Sequence, residues 1–184
     1  MRLFSYIFMV ANNKDKKKIS LKEVKKIPSY LLLRLINKAK SNLKNDPTMI
    51  AACKKYNQSI DIIDLIPTYF GNIDTSARTN HGVVILNYKL LCDGDFHKDY
   101  GYLIHEYTHY LQQTCNKRPT KSSDDGEYLD NPYEIEGFQN QTLYIAEHQG
   151  EDKAEEYVED LLDHHDINSN PKRVHKEEEL LAKI

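Results

Sequence analysis

The 184-residue, 21.5 kDa chain is 40% hydrophobic, has thirteen Tyr and no Trp, and carries a formal charge of −3. That length and apolar content suit one domain with its own core, and no apolar run approaches the roughly 20 residues of a membrane-spanning helix. Three scattered cysteines, Cys53, Cys92 and Cys115, exclude a disulfide framework and a cysteine-held structural zinc, and fit a reducing compartment.

Charge is divided along the chain. Residues 1–60 hold 14 of the 25 basic and 3 of the 28 acidic residues, so the first third is basic and the remainder acidic. Residues 1–11 combine a basic start with a short apolar stretch. A signal peptide, and hence secretion, is one reading. No small-x-small cleavage site follows and a lysine-rich segment comes at once, which favours an apolar element packed on the core. The cluster Lys14, Lys16, Lys17, Lys18, Lys22, Lys25 and Lys26 has the charge to meet nucleic acid phosphates. A solvated helix face, or pairing with the acidic half, is the preferred explanation.

Ser20 with Glu23 three residues on forms a capping-box pattern at the head of a helical stretch that Pro28 interrupts. Residues 29–44 read as a strong amphipathic helix ending near Asn45-Asp46-Pro47, and residues 48–56 as a short helix. Residues 59–65 and 68–70 are short and β-rich, with a turn at Gly71-Asn72. After Ala77–Gly82, residues 83–87 (Val-Val-Ile-Leu-Asn) read as a strand. Cys92-Asp93-Gly94-Asp95 is a turn, and a helix begins at Asp95 or just beyond.

That helix contains His105-Glu106-Tyr107-Thr108-His109, the pattern H-E-x-x-H. Residues i and i+4 of a helix share a face, so both imidazoles can bind one zinc ion, with Glu106 beside them as a general base. On a helical wheel Tyr100, Leu103, Ile104, Tyr107, Tyr110 and Leu111 occupy one side. His105, His109 and Gln112 lie opposite, so the helix is expected to dock by one face and present the imidazoles on the other.

A second helix starts with Asn131 as N-cap and Pro132 in its first turn. Two glutamates there compete as third ligand. Ile135, Phe138, Thr142, Ile145 and Ala146 mark the buried stripe; Glu134 lies at its edge and Glu136 is expected well round toward solvent. Glu134 also fits a capping role with Asn131. His148, further along the same helix, and the pair His164-His165 are outside candidates. The polar segment 117–130 between the helices reads as a loop bordering the site. Within it, Asp124-Asp125-Gly126-Glu127 matches only a fragment of a calcium loop. Residues 150–166 form an acidic helix with an apolar stripe of Ala154, Tyr157, Val158, Leu161 and Leu162. Residues 168–171 break the chain before a terminal helix.

Taken together, these motifs resemble a minimal gluzincin, the zinc peptidase type with two histidines on one helix and a glutamate on the next. Residues 131–138, NPYEIEGF, are similar to the N-P-x-E-x-E-A segment of small families of that type, phage-encoded ones included. In related patterns the first glutamate of E-x-x-A is the ligand, which implies Glu134. The chain departs from the pattern at Gly137, where alanine is usual, and at Phe138, where an aspartate that supports a metal-bound histidine often follows.

The resemblance covers about residues 81–149. It implies one α+β, zincin-like domain over residues 1–184, with a basic helical part (1–58), a catalytic core (59–149) and an acidic helical part (150–184). The core would hold a small antiparallel or mixed sheet, the H-E-x-x-H helix and a glutamate-bearing helix. A strand just before the active helix often borders the substrate cleft, which by analogy points to residues 83–87. The implied centre is Zn2+ on His105, His109 and Glu134, with Glu106 as base. Tyr128, Tyr133 and His148 are the candidate donors to a tetrahedral oxyanion. The implied substrate is a protein or peptide, and the expected compartment is the cytoplasm, or a host cytoplasm or virion if the chain is phage-encoded. A non-catalytic zincin-fold protein with a structural zinc is the alternative.

Overall fold

In the computed structural model residues 18–115 and 128–184 are described. The readings made for residues 1–11, for Lys14, Lys16 and Lys17, and for 117–127 with its calcium-loop fragment lie outside them. Ser20 and Glu23 form the expected reciprocal cap of a short helix, α1 (Leu21–Val24): Glu23 N–H donates to Ser20 Oγ and Ser20 N–H to Glu23 Oε2. Pro28 immediately precedes α2 (Ser29–Leu43), which buries Leu31, Leu32, Ile36, Ala39 and Leu43. Asp46 caps α3 (Pro47–Lys55) by accepting from Met49 N–H at 3.1 Å.

The reading of residues 59–65 as β-rich is overturned. Ile62–Leu65 form a single helical turn, α4. Local polar groups win over β-branched propensity here. Ser59 Oγ accepts from Asp61 N–H at 3.3 Å, and the buried Lys40 ammonium donates to Ile66 O at 2.6 Å and Asp64 O at 3.2 Å. Those carbonyls end the turn, and Lys40 satisfies them without water. Burial lowers the Lys40 pKa, and nearby Asp64 opposes that shift.

Three strands follow: β1 (Thr68–Gly71), β2 (Ala77–Asn80) and β3 (Val83–Asn87). Their order is β1-β3-β2, with β3 parallel to β1 and antiparallel to β2, so the sheet is mixed. β2 went unread in the sequence. It joins β3 through His81 and Gly82, both at positive φ (48° and 74°), the two-residue turn whose twist suits a hairpin. This placement corrects the role given to residues 83–87. β3 is the central strand with both edges paired, and β2 is the edge strand that meets the motif helix through Thr79.

Two 3-10 turns, Tyr88–Leu91 and Phe96–Asp99, lead into α5 (Tyr100–Cys115). Its apolar face is fully packed: Leu103, Ile104, Tyr107 and Leu111 have no exposed surface. The opposite face is covered by α6 (Pro132–Gln149). The two helices run antiparallel, since Gly101 meets Gln141 and Ile145, His105 meets Gly137, and Gln112 meets the Tyr133 carbonyl. The imidazole-bearing side of α5 is therefore interior.

Gly150, at φ 103°, separates α6 from α7 (Glu151–His164), and α8 (Asn170–Leu180) follows. Pro171 lies within the first turn of α8, so the break expected over 168–171 is shorter than read. Side chains of α6 satisfy the last carbonyls of α8: Thr142 Oγ1 donates to Leu180 O at 2.9 Å and Gln139 Nε2 to Glu179 O at 2.8 Å. The larger apolar cluster joins α1–α5, the sheet and Tyr144. A smaller one, of Leu129, Phe138, Val158, Leu162, Ile167 and Leu180, lies between α6, α7 and α8. The architecture is α+β, and no helix among the described residues is long and apolar enough to cross a membrane.

Candidate metal centre

Three donor atoms converge where α5 crosses the first turn of α6. His109 Nε2 lies 2.9 Å from His105 Nε2 and 3.1 Å from Glu134 Oε2, and His105 Nε2 lies 3.3 Å from Glu134 Oε2. All three side chains are at least 87% buried. Donors about 2.0–2.1 Å from a tetrahedral zinc stand about 3.3–3.4 Å from one another. The observed triangle is within a few tenths of an ångström of that spacing, with the two imidazole nitrogens and one carboxylate oxygen that zinc accepts. Among the described residues the group closes at three.

Electrostatics hold the triangle together. Burial pushes the His109 imidazole toward lower pKa, but hydrogen bonding and charge attraction from Glu134 outweigh it and hold the pKa up at about 9. Burial likewise works against the Glu134 carboxylate, yet His105 and His109 keep it well below the usual carboxylate range. Asn131 accepts from Tyr133 N–H at 3.0 Å and caps α6 by itself. Glu134 is thus turned to the imidazoles rather than spent on the cap.

The two histidines are supported differently. His109 Nδ1 lies 2.7 Å from Gln112 Oε1. His105 Nδ1 is buried and has no hydrogen-bond partner among the described residues. Phe138, which stands where an aspartate was noted as common, meets the His105 ring edge-on with centroids 4.5 Å apart. Packing therefore positions this ring. Gly137 is part of that packing: a Cβ there would stand 2.9 Å from His105 Cε1, 3.0 Å from Nδ1 and 3.1 Å from Nε2. Phe138 also packs on the ring, with centroids 4.5 Å apart. Gly137→Ala is expected to tilt His105 out of the triangle and weaken metal affinity by about 10–100-fold. Chelator-competition titration checks this; an unchanged affinity would show that the ring accommodates the methyl group in place.

Glu106 is buried and held by β2. Thr79 Oγ1 lies 2.7 Å from Glu106 Oε2 and 2.9 Å from the Glu106 carbonyl. Thr79 was missed because β2 was missed; residues 77–80 carry no apolar alternation, and Gly82 at the turn into β3 was the one hint of a hairpin. Tyr128 is the one candidate donor brought to the centre. Burial raises its pKa, the Glu134 charge and a hydrogen bond with Glu134 raise it further, and Glu106 adds to this. Its ring stacks on His165 at 5.1 Å and meets Phe138 at 6.0 Å.

The remaining candidates fall elsewhere. Tyr133 lines a cavity with Lys55, Tyr56, Cys115 and Glu136 that none of the three converging residues lines. His148 pairs with Asp46 at 2.8 Å near the far end of α6, about 20 Å along the helix from Glu134. It serves neither as donor nor as ligand at this centre. Together with Asp46 and Glu147 it forms a second, more exposed His/carboxylate group. His164 and His165 also stay outside the triangle, although His165 backs Tyr128. Glu136 is not the solvent-facing residue expected. Its side chain is 12% exposed and accepts from Tyr56 Oη at 2.8 Å, with Lys55 Nζ at 2.8 Å. The α6 wheel placed Glu136 correctly on its own helix but could not show that α3 covers that side.

The chain has no significant match to any protein-family model, curated protein or solved structure.

Proposed function

We propose that this protein is a zinc-dependent metallopeptidase of the zincin-like, gluzincin type. The observation that carries the reading is the triangle of His105, His109 and Glu134 donors, 2.9–3.3 Å apart, with the Glu106 carboxylate on the same helix. His105, His109 and Glu134 would hold the ion. Zinc there would act as a Lewis acid on a carbonyl oxygen and make water more acidic.

The chain's own residues supply the rest. Glu106 accepts a proton from the attacking water and returns it to the leaving amine, so the carboxylate is unchanged after one turnover. Thr79 fixes the Glu106 carboxylate through its hydroxyl proton. Tyr128, held protonated by its surroundings, donates its hydroxyl hydrogen to the oxyanion that develops on the scissile carbonyl. Burial of the imidazoles keeps bulk water away from the reacting groups and strengthens each of these interactions.

The test is metal analysis joined to hydrolysis of a broad peptide mixture by the full chain. About one zinc per chain is expected, with cleavage that stops on chelation and returns with added zinc. No zinc uptake, or cleavage that persists in the metal-free protein, would overturn the proposal. Stoichiometric zinc with no cleavage across the mixture would favour the non-catalytic alternative.

A further inference from the structure

Gln112 lies between the proposed centre and a chain of charged groups behind it, and its amide can be oriented from its neighbours. One end of the amide faces His109 Nδ1 at 2.7 Å. The other faces the Tyr133 carbonyl at 3.1 Å and Glu136 Oε2 at 3.3 Å. Both of those partners are acceptors, and only the NH2 end of an amide can serve them. The carbonyl end must then point at His109. A carbonyl only accepts, so the proton on the facing imidazole nitrogen sits on Nδ1. In the neutral ring this leaves the Nε2 lone pair directed at His105 Nε2 and Glu134 Oε2.

The orientation of Gln112 is itself fixed from behind. Glu136 Oε2 accepts from Tyr56 Oη at 2.8 Å, and Lys55 Nζ lies 2.8 Å from its other oxygen. Lys55 ends α3, Tyr56 caps it, Glu136 belongs to α6 and Gln112 to α5. Donation therefore converges on the Glu136 carboxylate, from Tyr56 on the α3 side and from the imidazole through Gln112 on the other. Among the described residues His105 has no counterpart, since none of them hydrogen-bonds its Nδ1.

We propose that Gln112 and Glu136 are positioning residues that lock His109 in the Nδ1–H tautomer and so present its Nε2 to the metal. The proposal rests on the zinc reading above and assigns the polar support of His109, whereas His105 is held by its packing on Phe138. It also explains why Glu136 is buried beside Lys55 although it ligates nothing.

The test compares wild type, Gln112→Leu, Gln112→Glu and the exchanged pair Gln112→Glu/Glu136→Gln. Two readouts are used: zinc affinity by chelator competition, and histidine-15N NMR of the zinc-loaded protein, which reports which ring nitrogen of His109 bears the proton. Gln112→Leu is expected to weaken zinc about tenfold and to lose the hydrogen-bonded Nδ1–H signal. Gln112→Glu sets two carboxylates against each other and is expected to weaken zinc similarly. The exchanged pair restores an acceptor facing His109 and a donor facing that acceptor, although the Tyr133 carbonyl loses its donor, and should bind zinc more tightly than Gln112→Glu with the Nδ1–H signal back. If Gln112→Leu does not fold, the contrast between Gln112→Glu and the exchanged pair decides. Wild-type affinity and an unchanged His109 signal in Gln112→Leu would overturn the inference while leaving the zinc reading intact. The same holds if the exchanged pair is no better than Gln112→Glu. A wild-type protein that takes up no zinc overturns both.

Discussion

Glu106→Gln is expected to lower peptide turnover by roughly 10^2–10^4-fold while zinc content stays at the wild-type level. The substitution keeps the shape of the side chain. Its amide oxygen can still accept from the Thr79 hydroxyl, which lies 2.7 Å from Glu106 Oε2, so burial and fold should be preserved. What is lost is the basicity needed to take a proton from water. Glu106 is not one of the three convergent donors, and metal uptake should not change. Steady-state kinetics beside metal analysis separates the two effects. Turnover within tenfold of wild type, with zinc bound, would remove Glu106 from the proposed mechanism.

Zinc affinity is expected to rise about tenfold for each pH unit from 7 toward 9, and to level off above about 9. The sign follows from the state of the metal-free centre. Burial pushes His109 down, but Glu134 overrides that and holds its pKa at about 9. Below that pH the ring carries a proton on Nε2, the nitrogen that would bind the ion. That proton must leave as zinc enters, so raising the pH favours binding until the ring is already neutral. The same shift stabilises the metal-free fold. Its contribution is complete below the ordinary histidine value of 6.5 and is lost as pH rises through about 9. Chelator competition at pH 7, 8 and 9, with calorimetry in buffers of different ionisation enthalpy, measures both the slope and the released proton. A flat profile with no proton release would show that His109 is neutral before the ion arrives.

The local grammar of the centre was legible in the sequence because it is local. His105 and His109 share a face by helical spacing, Asn131 and Pro132 mark the start of α6, and Phe138, one turn on from Glu134, is buried as expected, whereas Ile135 of the same stripe is only half-buried. What the sequence left open depends on how separate elements meet. β2 has only four residues, with alternating half-burial and no strongly apolar pattern, so it gave no strand signal. Without β2 there was no Thr79 and no way to see that β3 is central. Residues 62–65 read as strand because Ile is β-branched, and the Lys40 ammonium that favours the turn lies more than twenty positions earlier. Glu136 looked exposed on its own helix, because a wheel contains no α3 to cover it. His148 shares a helix with Glu134, but the thirteen positions between them put it at the other end, beside Asp46.

One feature of the packing reaches beyond the three converging residues. α6 contributes Phe138 to the smaller apolar cluster and Tyr144 to the larger one, and it also carries Glu134. The acidic C-terminal helices are thus a brace on the very rod that delivers the carboxylate. Because an ion held by both α5 and α6 would bind only while that brace is seated, metal occupancy and the integrity of the last third of the chain become thermodynamically coupled. Loosening α7 and α8 would loosen the grip on the ion, and filling the centre would in turn protect helices that never touch it.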